Sequence, residues 1–506
     1  MKKLPNSHQN AAHKIQCRNK DTQKAQVLLV YPNVSSQERY NKDINAIGGH
    51  QLPLGIYYLA AYLRKFGYAV TVVDAEAFNV SDEEICKLLT TEIKIIGISS
   101  TTVAFRKARK LAEHIKSKFP HKSVVIGGPH MTAMPKQTIA TKAFDFGIIQ
   151  EGEASFLQLV EHILNGKHDL KDIPNLFYLE KEEIKSNLQR FMISNLDTLP
   201  FPARDLTPDL TIYKPPVGAY LQEPVASVIT SRGCPYSCIF CDNNTFGRTI
   251  RYFSAEYVAK EIQELVTNYE VKEISFLDDT FVVDKKRLKK IFTLLARQNI
   301  KISWSCMTRV NNLDYETLKF MKDNGCWQIR VGIESGNQEV IDFIKKGITL
   351  EQVKTAVGCC RKLNIMVTGF FIIGHHTDTP QTIEQTIKFA LSIPLTDVVV
   401  TINTPIPGTE SYEKAQNYGT YKEEDWSALN YWTPVFVPHG LTRDFMLKKQ
   451  AEFYKCFYLR PRVLILQMKK IRSFKTIKVF LKSALMGLNF IKNKKMSQEV
   501  NGAPAR

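Results

Sequence analysis

Short apolar runs alternate with amphipathic stretches of about a dozen residues, twice along this chain, and no other feature restricts its fold as strongly. The first series is VLLVYP (27–32), AVTVVDA (69–75), IIGISS (95–100), SVVIGG (123–128) and FDFGIIQ (144–150), with helical spacing over 54–68, 82–90 and 105–119. The second is VASVITSR (225–232), EISFLD (273–278), KISWSC (301–306), QIRVGIE (328–334), VTGFFII (367–373) and DVVVTIN (397–403). Helical patterns lie between these runs over 255–268, 285–298, 315–324, 337–345, 350–363 and 380–392. Unbroken apolar strands that alternate with helices specify parallel sheets covered on both faces. The expected class is α/β: a doubly wound sheet, then six strand–helix repeats that build a partial or complete β/α barrel. The expected domains are a loose tail (1–24), the first sheet domain (25–175), a proline-containing connector (176–222), the barrel (223–445) and a basic helical segment (446–506).

The chain has 506 residues, 44% of them apolar and 23% charged, which excludes a mostly disordered chain. No apolar run approaches the roughly 18 residues of a membrane span. The net charge of +18 suits an anionic partner. Much of it falls in 459–495, where Arg460, Arg462, Lys469, Lys470, Arg472, Lys475, Lys478, Lys482, Lys492, Lys494 and Lys495 occur with no acid and with apolar residues between them. Such a segment reads as a solvated basic helix or as a peripheral membrane contact; no specific nucleic acid partner is expected. The N-terminus lacks an apolar signal core and the ten cysteines are too sparse for a disulfide scaffold, so a cytoplasmic protein is expected, peripheral to the inner face of the membrane if 459–495 binds there.

The cysteines that cluster do so as Thr230-Ser-Arg-Gly-Cys234-Pro-Tyr-Ser-Cys238-Ile-Phe-Cys241, just past a strand. Three thiols on a tight loop suit a soft metal centre. A structural zinc site would want a fourth protein ligand, and no second CxxC pair is present. Three thiolates on a [4Fe–4S] cube leave one iron open.

CxxxCxxC with an aromatic before the last cysteine, at the end of a first barrel strand, resembles the radical S-adenosylmethionine (SAM) superfamily. The resemblance implies that Cys234, Cys238 and Cys241 bind the cluster and that Phe240 lies against the adenine. The open iron chelates SAM, whose reductive cleavage gives a 5′-deoxyadenosyl radical. It further implies SAM contacts at successive strand ends: Asp278 and Asp279, then Thr308 and Arg309 for the carboxylate, then Glu334 in Gly332-Ile-Glu334-Ser-Gly336 for the ribose. The motif after the fifth strand, usually Gly-x-Pro in this family, reads Gly374-His375-His376, and the two histidines are expected to be ordinary loop residues.

In the first domain the strand ends Ser99-Ser100-Thr101-Thr102, Gly127-Gly128-Pro129-His130 and Glu151-Gly152-Glu153 are small or polar. Paired glycines admit close backbone approach, and the hydroxyls of Ser99 and Thr101 offer hydrogen bonds. Placed before the barrel, this domain resembles the cobalamin (B12)-binding domain of B12-dependent radical SAM enzymes, with Ser99, Thr101, Gly127, Gly128 and Pro129 as cofactor contacts. The axial-histidine motif Asp-x-His-x-x-Gly is replaced by Asp74-Ala-Glu76-Ala-Phe78, so cobalamin either binds without a protein axial ligand or has been lost. His130 is expected to line the pocket or face solvent. The resemblance implies a radical that abstracts hydrogen from an unactivated carbon, methyl transfer from cobalamin to that carbon, a small-molecule or lipid-like substrate, and a flavodoxin- or ferredoxin-type electron donor. Other members oxidise, cyclise or rearrange instead. A cobalamin or iron–sulfur sensor is the non-enzymatic alternative.

Overall fold

The computed structural model describes residues 24–35, 38–39, 48–187, 189, 191–216, 218–421 and 426–468. Contacts divide the chain into two compact units, one built mainly from 51–213 and one mainly from 214–241 and 252 onward, with 242–251 belonging to the first. The basic segment 469–495 lies outside the described residues.

In the first unit, five parallel strands follow the apolar runs: β1 (Val27–Tyr31), β2 (Val70–Asp74), β3 (Ile95–Ser99), β4 (Ser123–Gly127) and β5 (Phe146–Ile148). An antiparallel hairpin, β6 (Leu176–Glu180) and β7 (Glu183–Ser186), extends the sheet, whose order is β2-β1-β3-β4-β5-β6-β7. The hairpin falls where the sequence suggests only a connector. Its outer strand EIKS is short and charged, as an exposed sheet edge requires. Helices α1 (Leu54–Lys65), α2 (Phe105–Lys118) and α3 (Glu153–Asn165) bury their apolar stripes. Gly67 (φ +88°) sits just past α1, in the left-handed conformation that favours glycine.

In the second unit the six expected strands form one parallel sheet in strict chain order: β8 (Val225–Val228), β9 (Glu273–Phe276), β10 (Ser303–Thr308), β11 (Cys326–Glu334), β12 (Met366–Ile373) and β13 (Asp397–Ile402). Sequential order with parallel pairing is the topology of a partial barrel. The connecting helices α4 (Ala255–Tyr269), α5 (Lys285–Arg297), α6 (Tyr315–Asp323), α7 (Leu350–Lys362) and α8 (Pro380–Ser392) each start on a side chain that accepts from the first turn: Ser254, Asp284, Asp314, Thr349 and Thr379. These caps satisfy orphan helical N–H groups and set where each helix leaves its loop. On the helical side, Phe276, Phe281, Phe292 and Trp304 pack edge-to-face and stacked.

The open edge strand β13 is covered by α9 (Arg443–Tyr458), a helix that spans the boundary expected at 445. Gln450 Nε2 donates to the Val400 carbonyl at 2.9 Å, and the Val400 N–H donates to Tyr454 Oη at 2.9 Å. Side chains thus satisfy ladder groups that an incomplete barrel leaves open.

Candidate functional site

All six strands of the parallel sheet in the second unit point their carboxyl ends the same way, and the cysteine loop and the candidate SAM contacts follow those ends. Past β8, Gly233 (φ +94°) turns the chain into the cysteine loop. Cys238 is buried, Cys234 half-buried and Cys241 at the exposed rim. Burial pushes the Cys234 thiol above its ordinary value. The Cys241 thiol is desolvated by the loop around it and lies near the negative charges of Asp279, Cys238 and Cys234, which together push it up to about 12. Thiols held this way are inert until a metal centre deprotonates them. Among the described residues no three His, Cys, Asp or Glu side chains are drawn into metal-coordinating geometry, these cysteines included. Three sulfur donors on one loop nevertheless suit an iron–sulfur centre by chemistry.

Arg309 follows β10 and is buried. Its Nη1 lies 3.3 Å from Cys238 Sγ and its guanidinium stacks on Tyr236, 3.7 Å from the ring centre. Nε and Nη2, and the neighbouring Thr308 Oγ1, have no partner. A buried guanidinium with two open donors is costly unless an anion completes it, so the residue fits the carboxylate of a bound amino acid group.

At the end of β11 the backbone bulges between Gly332 and Glu334, and Glu334 takes a left-handed conformation (φ +69°). Its carboxylate accepts from Lys346 Nζ at 2.6 Å, with both side chains at least nine-tenths buried. A Cβ on residue 332 would fall 2.3 Å from Glu334 Oε1 and 2.6 Å from Lys346 Nζ, so the pair requires glycine there. Lys346 also sits 5.6 Å over the Phe240 ring, and Phe240 lies 6.0 Å from the His375 ring. Phe240, Glu334 and Lys346 are therefore one cluster.

His375 and His376 are not ordinary loop histidines: both are buried. The Gly374 and His375 N–H groups donate to Asp378 Oδ2 at 2.9 and 2.8 Å, which folds the loop inward. His375 Nε2 has no partner, and burial lowers its pKa to about 3. His376 Nε2 contacts the Ser411 carbonyl at 2.9 Å. Asp278 does not face outward. It is fully enclosed and accepts from Thr230 N, Thr230 Oγ1 and Ser231 Oγ, so its acceptors tie the ends of β8 and β9 together. Asp279 is exposed beside it, and partial desolvation together with the Asp278 charge raises its carboxyl.

In the first unit, Ser99 pairs with Gly127 at the strand ends. Gly128 has φ +93°, and a Cβ there would lie 2.9 Å from the Ser100 carbonyl and 3.0 Å from Ser99 Oγ. Ser99, Thr101, Gly127 and Gly128 are half-buried with Pro129 exposed beside them, an accessible ledge of small groups that fits a large planar cofactor. His130 neither lines that ledge nor faces solvent. It is fully buried, stacked 3.9 Å on Phe105, and burial lowers its pKa to about 3. Asp74 caps Ala77 N and accepts from Tyr213 Oη at 3.0 Å. Glu151, at a strand end read as polar, pairs bidentately with Arg251 (2.7 and 2.9 Å) and accepts from Ile193 N, so it is structural.

Lys346, Asp378, Tyr236 and Arg251 carry no sequence signal, because each acts only through a contact made in three dimensions.

The model of the radical SAM superfamily matches residues 228–390, and that of the B12-binding domain matches 41–160. An uncharacterized methyltransferase of Pyrococcus horikoshii, PH0819, is 34% identical over 465 residues, covering 91% of this chain and 97% of that protein. The anaerobic magnesium-protoporphyrin IX monomethyl ester cyclase of Rubrivivax gelatinosus is 26% identical over 87% of this chain and 78% of its own length. The cobalamin-dependent radical enzyme OxsB, solved with aqua-cobalamin and SAM, superposes with a TM-score of 0.71 at 16% identity, over 92% of this chain and 72% of its own.

Proposed function

The chain belongs to the cobalamin-dependent radical SAM enzymes, which use a [4Fe–4S] cluster, SAM and cobalamin, and from that membership we propose that it methylates an unactivated carbon of a small molecule. The observation that carries the reading is the buried Arg309 guanidinium, held against Cys238 with two donors open beside the cysteine loop. When bound, the cluster and SAM supply a carbon-centred radical, and methylcobalamin supplies the methyl group.

The chain's own residues bind, orient and exclude water. In this reading Cys234, Cys238 and Cys241 hold the cluster. Arg309 takes the SAM carboxylate with a charge-assisted pair, and no acid among the described residues forms an ion pair with it. Glu334, fixed by Lys346, receives the ribose hydroxyls, and Phe240 packs on the adenine. Asp278 keeps the first two strand ends in register, and Asp279 contributes at the rim. Ser99, Thr101, Gly127, Gly128 and Pro129 would form the ledge that holds cobalamin, and neither the stretch Asp74-Ala-Glu76-Ala-Phe78 after β2, which has no histidine, nor His130, which is in the core, would offer it an imidazole.

A flavodoxin or ferredoxin is the proposed electron donor. The finer reading of location is contact of 459–495 with an anionic membrane surface. It is supported by the exposed Leu459, Leu464 and Ile465 beside Arg462 at the described start of that segment. No helix among the described residues is long and apolar enough to cross a membrane.

Anaerobic reconstitution with iron, sulfide, hydroxocobalamin, SAM and reductant tests the proposal. Deoxyadenosine should form, and label from methyl-labelled SAM should enter a product from cell extract. The identity to a cyclase favours one second reading, oxidation or cyclisation without methyl transfer. Label-free product with deoxyadenosine formed would select it. Zinc in place of iron and sulfide would overturn both.

A further inference from the structure

The concave face of the six-stranded sheet has a composition that the cofactor site does not explain. Phe276 and Trp304 pack on the helix side with Phe292, so Ser275 and Ser305, one residue away, face the lumen. The register carries the same face across the sheet: Ser227, Ser275, Ser305 and Gln328 form one row, and Met307, Arg330 and Thr368 lie in the next. Beyond them the half-buried Phe370, Ile372 and Val399 make an apolar wall.

Arg330 is the cation of this floor and is only 7% exposed. Its Nη2 donates to Ser275 Oγ at 2.9 Å, its Nε has no partner, and it forms no ion pair among the described residues. The nearby acid, Glu273, is already satisfied by the Leu221 and Gln222 N–H groups and by Trp327 Nε1. Ser305 Oγ and Gln328 Oε1 are likewise unpartnered. An arginine removed from water without a counter-charge is stable only if something anionic completes it. Glu334 lies four positions further on, about 13 Å along the strand, so a ligand anchored at Arg330 extends toward the proposed SAM site.

We propose that Arg330 is the anchor of the substrate subsite, and that the substrate is an amphiphile whose carboxylate or phosphate binds Arg330 and Ser305 while its apolar body lies along Phe370, Ile372 and Val399. This rests on the radical SAM reading of the barrel. Gln328 Oε1 takes a hydroxyl of the same ligand, and the polar floor fixes how deep the substrate enters and so which carbon meets the radical.

Isothermal titration of the reconstituted holoenzyme with octanoate, octyl phosphate and octanamide tests it. One of the two acids should bind at least about tenfold tighter than the neutral amide, and which acid wins identifies the head group. Arg330→Gln should abolish that preference and Arg330→Lys should keep part of it. Should Arg330→Gln fail to fold, Ser275→Asp decides, because it places an internal carboxylate against the guanidinium and should also erase the preference. Equal binding of all three probes to the wild type, or a preference that survives these variants, overturns the proposal. Absence of deoxyadenosine from the wild type would instead count against the enzymatic reading itself.

Discussion

Lys346→Met breaks the buried pair that fixes Glu334. The two side chains are 8% and 7% exposed and 2.6 Å apart, so the lysine's removal strands a carboxylate that water cannot reach. Breaking a buried ion pair on one side costs about 3–5 kcal/mol. At roughly 2–4 °C per kcal/mol for a unit of this size, the barrel transition should fall by about 6–20 °C. The double variant Lys346→Met, Glu334→Gln removes the stranded charge and should recover much of that loss, because a buried pair replaced as a whole is close to neutral. The cycle of wild type, two single variants and the double variant, followed by near-ultraviolet circular dichroism during heating, isolates the coupling. SAM binding should weaken in both Glu334→Gln and the double variant whatever their melting points, since the proposed ribose acceptor is altered in each. A Lys346→Met melting point within about 2 °C of wild type would mean that the pair is solvated, and the argument from burial would fail.

Three further outcomes follow from the same geometry. Arg251→Ala leaves Glu151, whose side chain is 1% exposed, without its bidentate partner and should destabilise the first unit by about 3–5 kcal/mol in a denaturant titration; a loss under 1 kcal/mol would refute it. Cys238→Ala should abolish deoxyadenosine formation while circular dichroism remains that of the wild type, and unchanged turnover would remove the radical mechanism. His130 is held neutral, with its pKa lowered from the ordinary 6.5 to about 3. Below pH 6.5 the unfolded chain therefore binds a proton that the folded chain does not, and stability should fall as pH drops from about 6.5 toward about 3. Replacing it in His130→Leu should flatten that slope in acid titrations of unfolding, and an unaltered slope would exclude His130 as its source.

The two α/β units, the successive strands of the second sheet and the cysteine loop were legible from residue patterns, whereas the order β2-β1-β3-β4-β5 of the first sheet was not. Hydrophobic periodicity and helix caps are local properties, and a buried parallel strand writes itself as an uninterrupted apolar run. The β6–β7 hairpin was not legible, because EIKS lies at an edge and carries no apolar alternation. Glu334 could be placed at a strand end, but not its pairing with Lys346 or its left-handed backbone, which depend on a loop that returns twelve residues later. His375 and His376 read as loop residues because they come after Gly374 at the end of an apolar strand and are followed by the polar Thr377 and Asp378; Asp378, by accepting two backbone N–H groups, turns them inward.

By itself the sequence determined the architecture and the type of chemistry: two α/β units, a trio of thiols on the first strand-end loop of the second, and a ledge of small residues in the first. Tertiary structure alone decided which polar groups are spent on the fold and which stay open. Asp278, Glu151 and Asp74 are consumed by neighbours, whereas Arg309 and Arg330 keep donors free. The physical reason is that a charged residue has the same formula whether its partner is within hydrogen-bond reach or absent, and only packing brings the partner within reach.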